Sequence, residues 1–364
     1  MESINVDINN KDYSSIDGVL YNKDKTEIIW YPSKRVNDIY IISENTSSIG
    51  EYAFDECDRL KGIIIPENVE NIDYRAFKSY RGKLICKKNS TVHRYLENNK
   101  KKYILDNRPP TIELTPNGNE TTAKSIKITV NVEDKYGLKE DSLKYIWSQK
   151  EEVTADKVTE NFINGEEITS PENINGKVFL YIYAKDALGN ETVLKSNEFN
   201  IDITKPKVVG VENENSYNDS VTITVIDGNI GTIILEKDGT KIEGYANGKE
   251  IIEEGTYRLT ATDKAGNATI VSFIIKYNRG DIDINNNIDT GDVLALLRYI
   301  AQNTSKNVAE RHPDWNFNEK NKIIGDVNKN GIIDTGDVLT LQRYQAAKSS
   351  KTIAEKHPEW LNIN

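Results

Sequence analysis

The chain reads as a multidomain, mainly β protein: a short solenoid, two antiparallel β-sandwiches and a small helical module built around two metal loops. Three periodicities within its 364 residues carry that expectation. A motif returns after 23 positions near the N-terminus, apolar and polar residues alternate with period two through the middle, and a longer segment returns after 45 positions near the C-terminus. Each period belongs to a different way of burying apolar side chains.

In the first segment, residues 1–107, Ile41-Ile-Ser-Glu-Asn-Thr-Ser-Ser-Ile49-Gly-Glu-Tyr-Ala53-Phe54 aligns with Ile64-Ile-Pro-Glu-Asn-Val-Glu-Asn-Ile72-Asp-Tyr-Arg-Ala76-Phe77. A unit this short buries its Ile and Phe only against neighbouring units, which is the logic of a solenoid. The residues from Ile49 to Leu60 and from Ile63 to Pro66 resemble the BspA-type leucine-rich repeat. Flanking segments fit the same family: Ile16 to Tyr21 resembles a degenerate opening unit, and Ser90 to Tyr95 followed by Lys100 to Leu105 resembles its closing cap. That resemblance implies a bacterial surface protein with a protein- or glycan-binding face, the alternative being a spacer or capping remnant. Trp30 and Tyr31 are candidates to stack on a sugar, set against the commoner role of a strand aromatic as core. Further repeats are expected before Met1.

Between Pro109 and Asn278 the alternating runs are Ser125 to Val132, Leu143 to Trp147, Lys177 to Asp186, Thr192 to Ile203, Ser220 to Ile226, Thr232 to Lys237, Thr256 to Asp263 and Ala268 to Tyr277. Bounded by Asn/Gly turns, they predict two antiparallel sandwiches, at 108–203 and 204–278, with Arg108-Pro-Pro110 and Thr204-Lys-Pro206 as stiff joints. A closing hairpin is written twice, as Asp186-Ala-Leu-Gly189-Asn190 and Asp263-Lys-Ala-Gly266-Asn267. It resembles the last hairpin of bacterial Ig-like modules, which implies stalk-like spacers. The carboxylates Asp134, Asp186 and Asp263 are candidates to line a binding site, but turn chemistry explains them without one.

The last segment, 279–364, carries twin loops. Asp281-Ile-Asp283-Ile-Asn285-Asn-Asn287-Ile-Asp289-Thr-Gly-Asp292 returns 45 positions later as Asp326-Val-Asn328-Lys-Asn330-Gly-Ile332-Ile-Asp334-Thr-Gly-Asp337. A hard cation takes oxygens from positions 1, 3, 5, 7, 9 and 12 of a twelve-residue loop. Those places fall on Asp281, Asp283, Asn285, the carbonyl of Asn287, Asp289 and Asp292, and then on Asp326, Asn328, Asn330, the carbonyl of Ile332, Asp334 and Asp337. Two calcium ions are therefore the expected cofactors. A solvated Asp/Asn turn would show no such spacing. Each loop is followed by an apolar run ending in Arg-Tyr, at Arg298-Tyr299 and Arg343-Tyr344, and then by Ala-Glu-x-His-Pro-x-Trp, ending at Trp315 and Trp360. Position 6 of the first loop is Asn286 where a glycine is expected, and asparagine tolerates left-handed backbone better than most residues.

At these residues the chain resembles a type I dockerin with two F-hand loops, which have no helix entering the loop and Asp at position 12. The resemblance implies a cohesin on a scaffoldin or cell surface as partner, read by Thr290, Gly291, Leu297, Arg298 and Gln302 in the first copy and by Thr335, Gly336, Gln342, Arg343 and Ala347 in the second. It also implies a pseudo-twofold with two docking orientations. The spacing between the copies is longer than the family's, and the His-Pro-x-Trp tails, which are outside its core motif, are expected to seal helix ends.

A formal net charge of −10 argues against nucleic acid and against an anionic membrane surface as partners. No run of eighteen apolar residues exists, so no segment has the length to insert as a membrane helix. The calcium loops imply a secreted or cell-surface setting, with a signal peptide expected outside this chain. Cys57 and Cys86 read as buried thiols, with a disulfide as the alternative. His93, His312 and His357 are too scattered for a metal or catalytic triad, and no nucleophile-and-base motif is present. The expected function is non-catalytic: a leucine-rich head held on Ig-like spacers and attached through a calcium-loaded tail. Its competitors are the dockerin-bearing part of a glycoside hydrolase whose catalytic domain lies upstream, and an adhesin without a cohesin.

Overall fold

The computed structural model describes residues 1–139 and 141–363. The chain forms two compact units, Met1–Asp202 and Ile203–Asn364.

In the first unit the solenoid has two sheets. One runs Tyr13–Ile16, Val19–Asn22, Glu27–Trp30, Ser48–Ile49 and Asn71–Ile72, antiparallel at first and parallel where the 23-residue period sets in. The other is wholly parallel: Ile39–Ile41, Gly62–Ile64, Lys83–Cys86 and Tyr103–Leu105. Between them stands an aromatic column of Tyr31, Phe54 and Phe77, one ring per period, with centroids 5.5 and 5.4 Å apart. Tyr31 is 0% exposed, so it belongs to the column and cannot stack on a sugar; Trp30, its neighbour, is 54% exposed. Helix α1 (Thr91–Asn98) closes the solenoid, with Ser90 Oγ accepting the His93 N–H and Val92 and Leu96 turned inward. Cys57 and Cys86 are both buried free thiols, and burial pushes each up to about 12.

The parallel sheet also explains how sandwich 1 sits. Register places Ile41, Ile64, Ile85 and Ile104 in one row across its outer face. Ile64 and Ile85 are buried there against Tyr136, Ala187 and Leu188 of the sandwich. Polar contacts frame this patch: Lys87 Nζ reaches the Gly189 carbonyl and Glu67, each at 2.8 Å, and Asn190 Nδ2 donates to the Asp106 carbonyl at 3.3 Å. Sandwich 1 thus seals part of the repeats' sheet. Its own strands are antiparallel, Thr111–Thr115, Lys127–Glu133 and Glu167–Thr169 facing Lys144–Ser148, Gly176–Lys185 and Glu191–Lys195.

The second unit opens with sandwich 2, whose main sheet joins Ile230–Lys237, Gly255–Asp263 and Ala268–Ile275. One pairing departs from the antiparallel expectation, because Asn215–Tyr217 runs parallel to Ala268–Ile275. The chain then enters the helical segment: α2 (Thr290–Thr304), α3 (Lys306–Arg311), α4 (Glu319–Gly325), α5 (Thr335–Ser349) and α6 (Lys351–Lys356). Tyr257, Phe273 and Tyr277 of the sandwich share one continuous core with Ile282, Leu296, Ile324 and Leu341. A Cβ on Gly280 would lie 2.6 Å from Leu341 Cδ1, and one on Gly325 would lie 3.2 Å from Leu296 Cδ2. Each loop-entry glycine thus abuts the leucine of the other repeat, which is the pseudo-twofold in atomic terms.

Candidate metal centres

Both loops are folded by the same hydrogen bonds, and these bonds follow from the residue types. In the first, Asp281 Oδ1 and Oδ2 accept the N–H groups of Asn285 and Asn286, each at 3.0 Å. Asn285 Oδ1 accepts from Asn287 N at 2.8 Å, and Asp289 Oδ1 accepts from Gly291 N at 2.7 Å. In the second, Asp326 takes Asn330 N at 3.0 Å and Gly331 N at 2.9 Å, Asn330 Oδ1 takes Ile332 N at 2.8 Å, and Asp334 takes Gly336 N at 2.6 Å. Asn286 and Gly331 are both left-handed, with φ +65° and +84°.

The position 12 aspartates have a double role. Asp292 Oδ1 accepts the Ile282 N–H at 2.6 Å, while Oδ2 accepts the Asp289 N–H at 2.8 Å and so completes a capping box with the N-cap Asp289. Asp337 caps α5 in the same way, accepting Asp334 N at 2.9 Å, but its other oxygen accepts Asn328 N at 3.1 Å, while Val327 N, the counterpart of Ile282 N, bonds the Gly325 carbonyl at 2.9 Å. Both side chains are 0% exposed. Burial holds their carboxyls above the ordinary carboxylate range against the lowering pull of those N–H groups.

One carboxylate oxygen from each of Asp281, Asp283 and Asp292 lies within 4.8 Å of the others. Three carboxylates so close repel unless a cation sits among them, and the surrounding N–H bonds hold them in place. The donor set, all oxygen and rich in carboxylate, fits a hard dication such as calcium. In the second loop Asn328 and Asn330 stand where carboxylate and amide stand in the first, and Asn328 Oδ1 accepts Asn330 N at 3.0 Å. Asn287 and Ile332 are exposed side chains on the loop, as residues that offer only a carbonyl can be.

One departure from the expected loop is the helix α4, which runs directly into the second loop with Asp326 as its C-cap. The first loop is entered from a strand and a turn instead. Thr290, Gly291, Leu297, Arg298, Thr335, Gln342 and Arg343 are exposed. Ala347 is not: at 2% exposure it faces the core and has no surface to offer a partner. Gln302 is half-buried with Nε2 3.4 Å from the Pro313 carbonyl. Arg298 and Arg343 lie over the rings of Trp315 and Trp360, each 5.5 Å from the centroid. His312 and His357 stack on the same rings at 3.9 and 4.0 Å. The tails therefore fold back onto the helices that precede them. Sequence reasoning also missed Arg279 and Glu254, whose pairing joins the sandwich to this segment.

Residues 29–95 match the family model described as BspA type Leucine rich repeat region, in six copies. The N-terminal solenoid thus contains a BspA-type leucine-rich repeat region extending beyond the two aligned units on both sides. Over 68 residues the chain is 47% identical to the outer cell wall protein of Brevibacillus brevis (strain 47 / JCM 6285 / NBRC 100599), a stretch that is 19% of this chain and 7% of that relative. Among solved structures, a leucine-rich repeat protein from Eubacterium ventriosum ATCC 27560 is 32% identical over 25% of each chain, with a TM-score of 0.23. Fibronectin(III)-like modules of Clostridium thermocellum CbhA are 17% identical, covering 46% of this chain and 94% of that one, with a TM-score of 0.25. The chain spans a small part of the length of the cell wall protein and of the leucine-rich repeat structure.

Proposed function

We propose that this chain is a non-catalytic, secreted or cell-surface binding protein that attaches to its partner through a calcium-loaded C-terminal module. One observation carries the reading: Asp281 and Asp326, Asn285 and Asn330, and Asp289 and Asp334 accept equivalent main-chain N–H groups 45 positions apart. Asp281, Asp283, Asn285, Asp289 and Asp292 would hold one ion, and Asp326, Asn328, Asn330, Asp334 and Asp337 the other. Calcium at each loop offsets carboxylate repulsion and ties the loop to the helix that Asp292 or Asp337 caps.

Likeness to type I dockerins makes a cohesin the partner, met by Thr290, Gly291 and Leu297 on α2 or by Thr335, the half-buried Gly336 and Gln342 on α5. Surface placement draws support from the BspA-type repeats and from the cell wall relative. The repeats themselves would take a protein ligand on the side where Trp30 is exposed, since sandwich 1 occupies part of the other sheet. An adhesin without a cohesin is the second reading. It is favoured by the core that the helical segment shares with sandwich 2, which makes the calcium module an integral part of a larger body.

The test is capture of the full chain on an immobilised cohesin, in millimolar calcium and in EGTA, beside the Asp292→Ala/Asp337→Ala double variant. Calcium-dependent capture that the double variant loses is expected. Capture indifferent to EGTA defeats the docking mechanism, whereas calcium uptake in calorimetry without capture leaves the adhesin.

A further inference from the structure

The residues that lead the chain into the first loop also hold the second. Arg279 is 9% exposed, and its Nη1 donates to the carbonyls of Ile323 at 2.6 Å and Asp326 at 2.7 Å. Its Nη2 pairs with Glu254 Oε2. The other Glu254 oxygen accepts the Tyr277 N–H at 2.9 Å, so the carboxylate is itself fixed by the sandwich. Alongside, Gly280 N donates to the Ile324 carbonyl at 2.9 Å and Asn321 Nδ2 to the Ile282 carbonyl at 3.2 Å. The last carbonyls of a helix have no partners within it, and a cation there also answers the helix dipole. Arg279 and Gly280 satisfy those of α4, the helix that delivers Asp326 to position 1 of the second loop.

We infer that Arg279 and Glu254 are positioning residues for the second calcium loop, so that sandwich 2 is a working part of the calcium module; the inference rests on the calcium reading above. Neither side chain is a ligand. They fix the main chain of Asp326, from which both carboxylate oxygens are aimed. Arginine suits this place because one planar fork reaches two carbonyls and a carboxylate, which an ammonium group cannot reproduce. The duplication makes the effect one-sided: 45 positions on from Arg279 stands Ile324, buried and apolar, so among the described residues the clamp has no repeat-equivalent at the first loop.

Calcium titration of the full chain by calorimetry tests this, with Arg279→Lys placed in two backgrounds. In Asp292→Ala only the second loop reports, and its affinity should fall roughly 10–100-fold, the usual effect of losing a group that orients a ligand. In Asp337→Ala only the first loop reports, and it should change little. Hydrogen exchange supplies the second readout: calcium should slow exchange in the strands Gly255–Asp263 and Ala268–Ile275 of the wild type, and much less in Arg279→Lys or Glu254→Gln. This also decides the matter if Asp292→Ala abolishes uptake altogether. Equal affinity loss at both loops, no loss at the second, or calcium protection of the strands that survives Arg279→Lys overturns the assignment. Absence of calcium uptake by the wild type is a different result and removes the calcium reading itself.

Discussion

Asn286 and Gly331 hold the same place in the two loops, and both take left-handed backbone, with φ +65° and +84°. An L side chain there costs about 1–2 kcal/mol, less for asparagine, whose short polar group bonds locally. Open space surrounds Gly331, so Gly331→Asn should lower the stability of the second unit by no more than about 1 kcal/mol. Gly280 is the contrasting case. It has φ +89°, and a Cβ would press on Leu341 Cδ1 at 2.6 Å inside the shared core. Backbone strain adds to overpacking, and Gly280→Ala should cost about 2–4 kcal/mol. Urea unfolding of the two variants compares them directly; equal midpoints would mean that the core yields freely at Leu341. The glycine expectation at position 6 was legible because the loop's ligand spacing demands a left-handed turn. The need at Gly280 was not, since it depends on a leucine 61 residues away in the sequence.

At the scale of elements, the two closing hairpins show what local chemistry determines and what it leaves open. Asp186 accepts Leu188 N at 2.9 Å, Asn190 N at 2.8 Å and Asn190 Nδ2 at 2.7 Å; Asp263 accepts Asn267 N and Nδ2, each at 2.8 Å. The repeated Asp-x-x-Gly-Asn spelling was enough to read both turns. Their tips differ: Ala187-Leu188 in the first and Lys264-Ala265 in the second. The burial of Leu188 against the Ile64 and Ile85 row was not legible, because it required the register of a distant sheet. Ala347 failed for the opposite reason, because a family position carried onto a helix says nothing of which side that helix buries. Burial raises the Asp186 carboxyl above its usual range, with Asp134 adding to the shift. A raised native value contributes stability that is complete below the unfolded value of about 3.9 and is lost as pH climbs through the native one. Asp186→Asn keeps one acceptor and cannot titrate. The gap in Tm between wild type and this variant should therefore narrow as pH rises from about 4 to 7. A gap that widens over that range would show the carboxylate to be favoured by its three donors.

For the whole molecule, the placement of apolar cores determines what calcium can affect. The solenoid core, from Val19 to Leu96, lies entirely in the first unit, and the patch at Leu188 joins it to sandwich 1 within the same unit. Every proposed calcium ligand lies in the second unit, whose core runs without a break from Val211 to Ile363. Chelation should accordingly act on one unit and not on the other, and sandwich 2 should melt together with the helical segment instead of surviving it. If both loops bind calcium as proposed, at a hundredfold excess of free calcium over Kd each would contribute about 2.7 kcal/mol, and the two about 5 kcal/mol. In a unit of this size 1 kcal/mol moves Tm by about 2–4 °C, so EGTA should lower the transition of the second unit by roughly 10–20 °C. Calorimetry of the full chain, with hydrogen exchange to assign each transition, is the measurement. If the helical segment melted alone in EGTA while the strands Gly255–Asp263 and Ala268–Ile275 kept their protection, the continuous core would not couple them, and the calcium module would be a separate appendage of the sandwich.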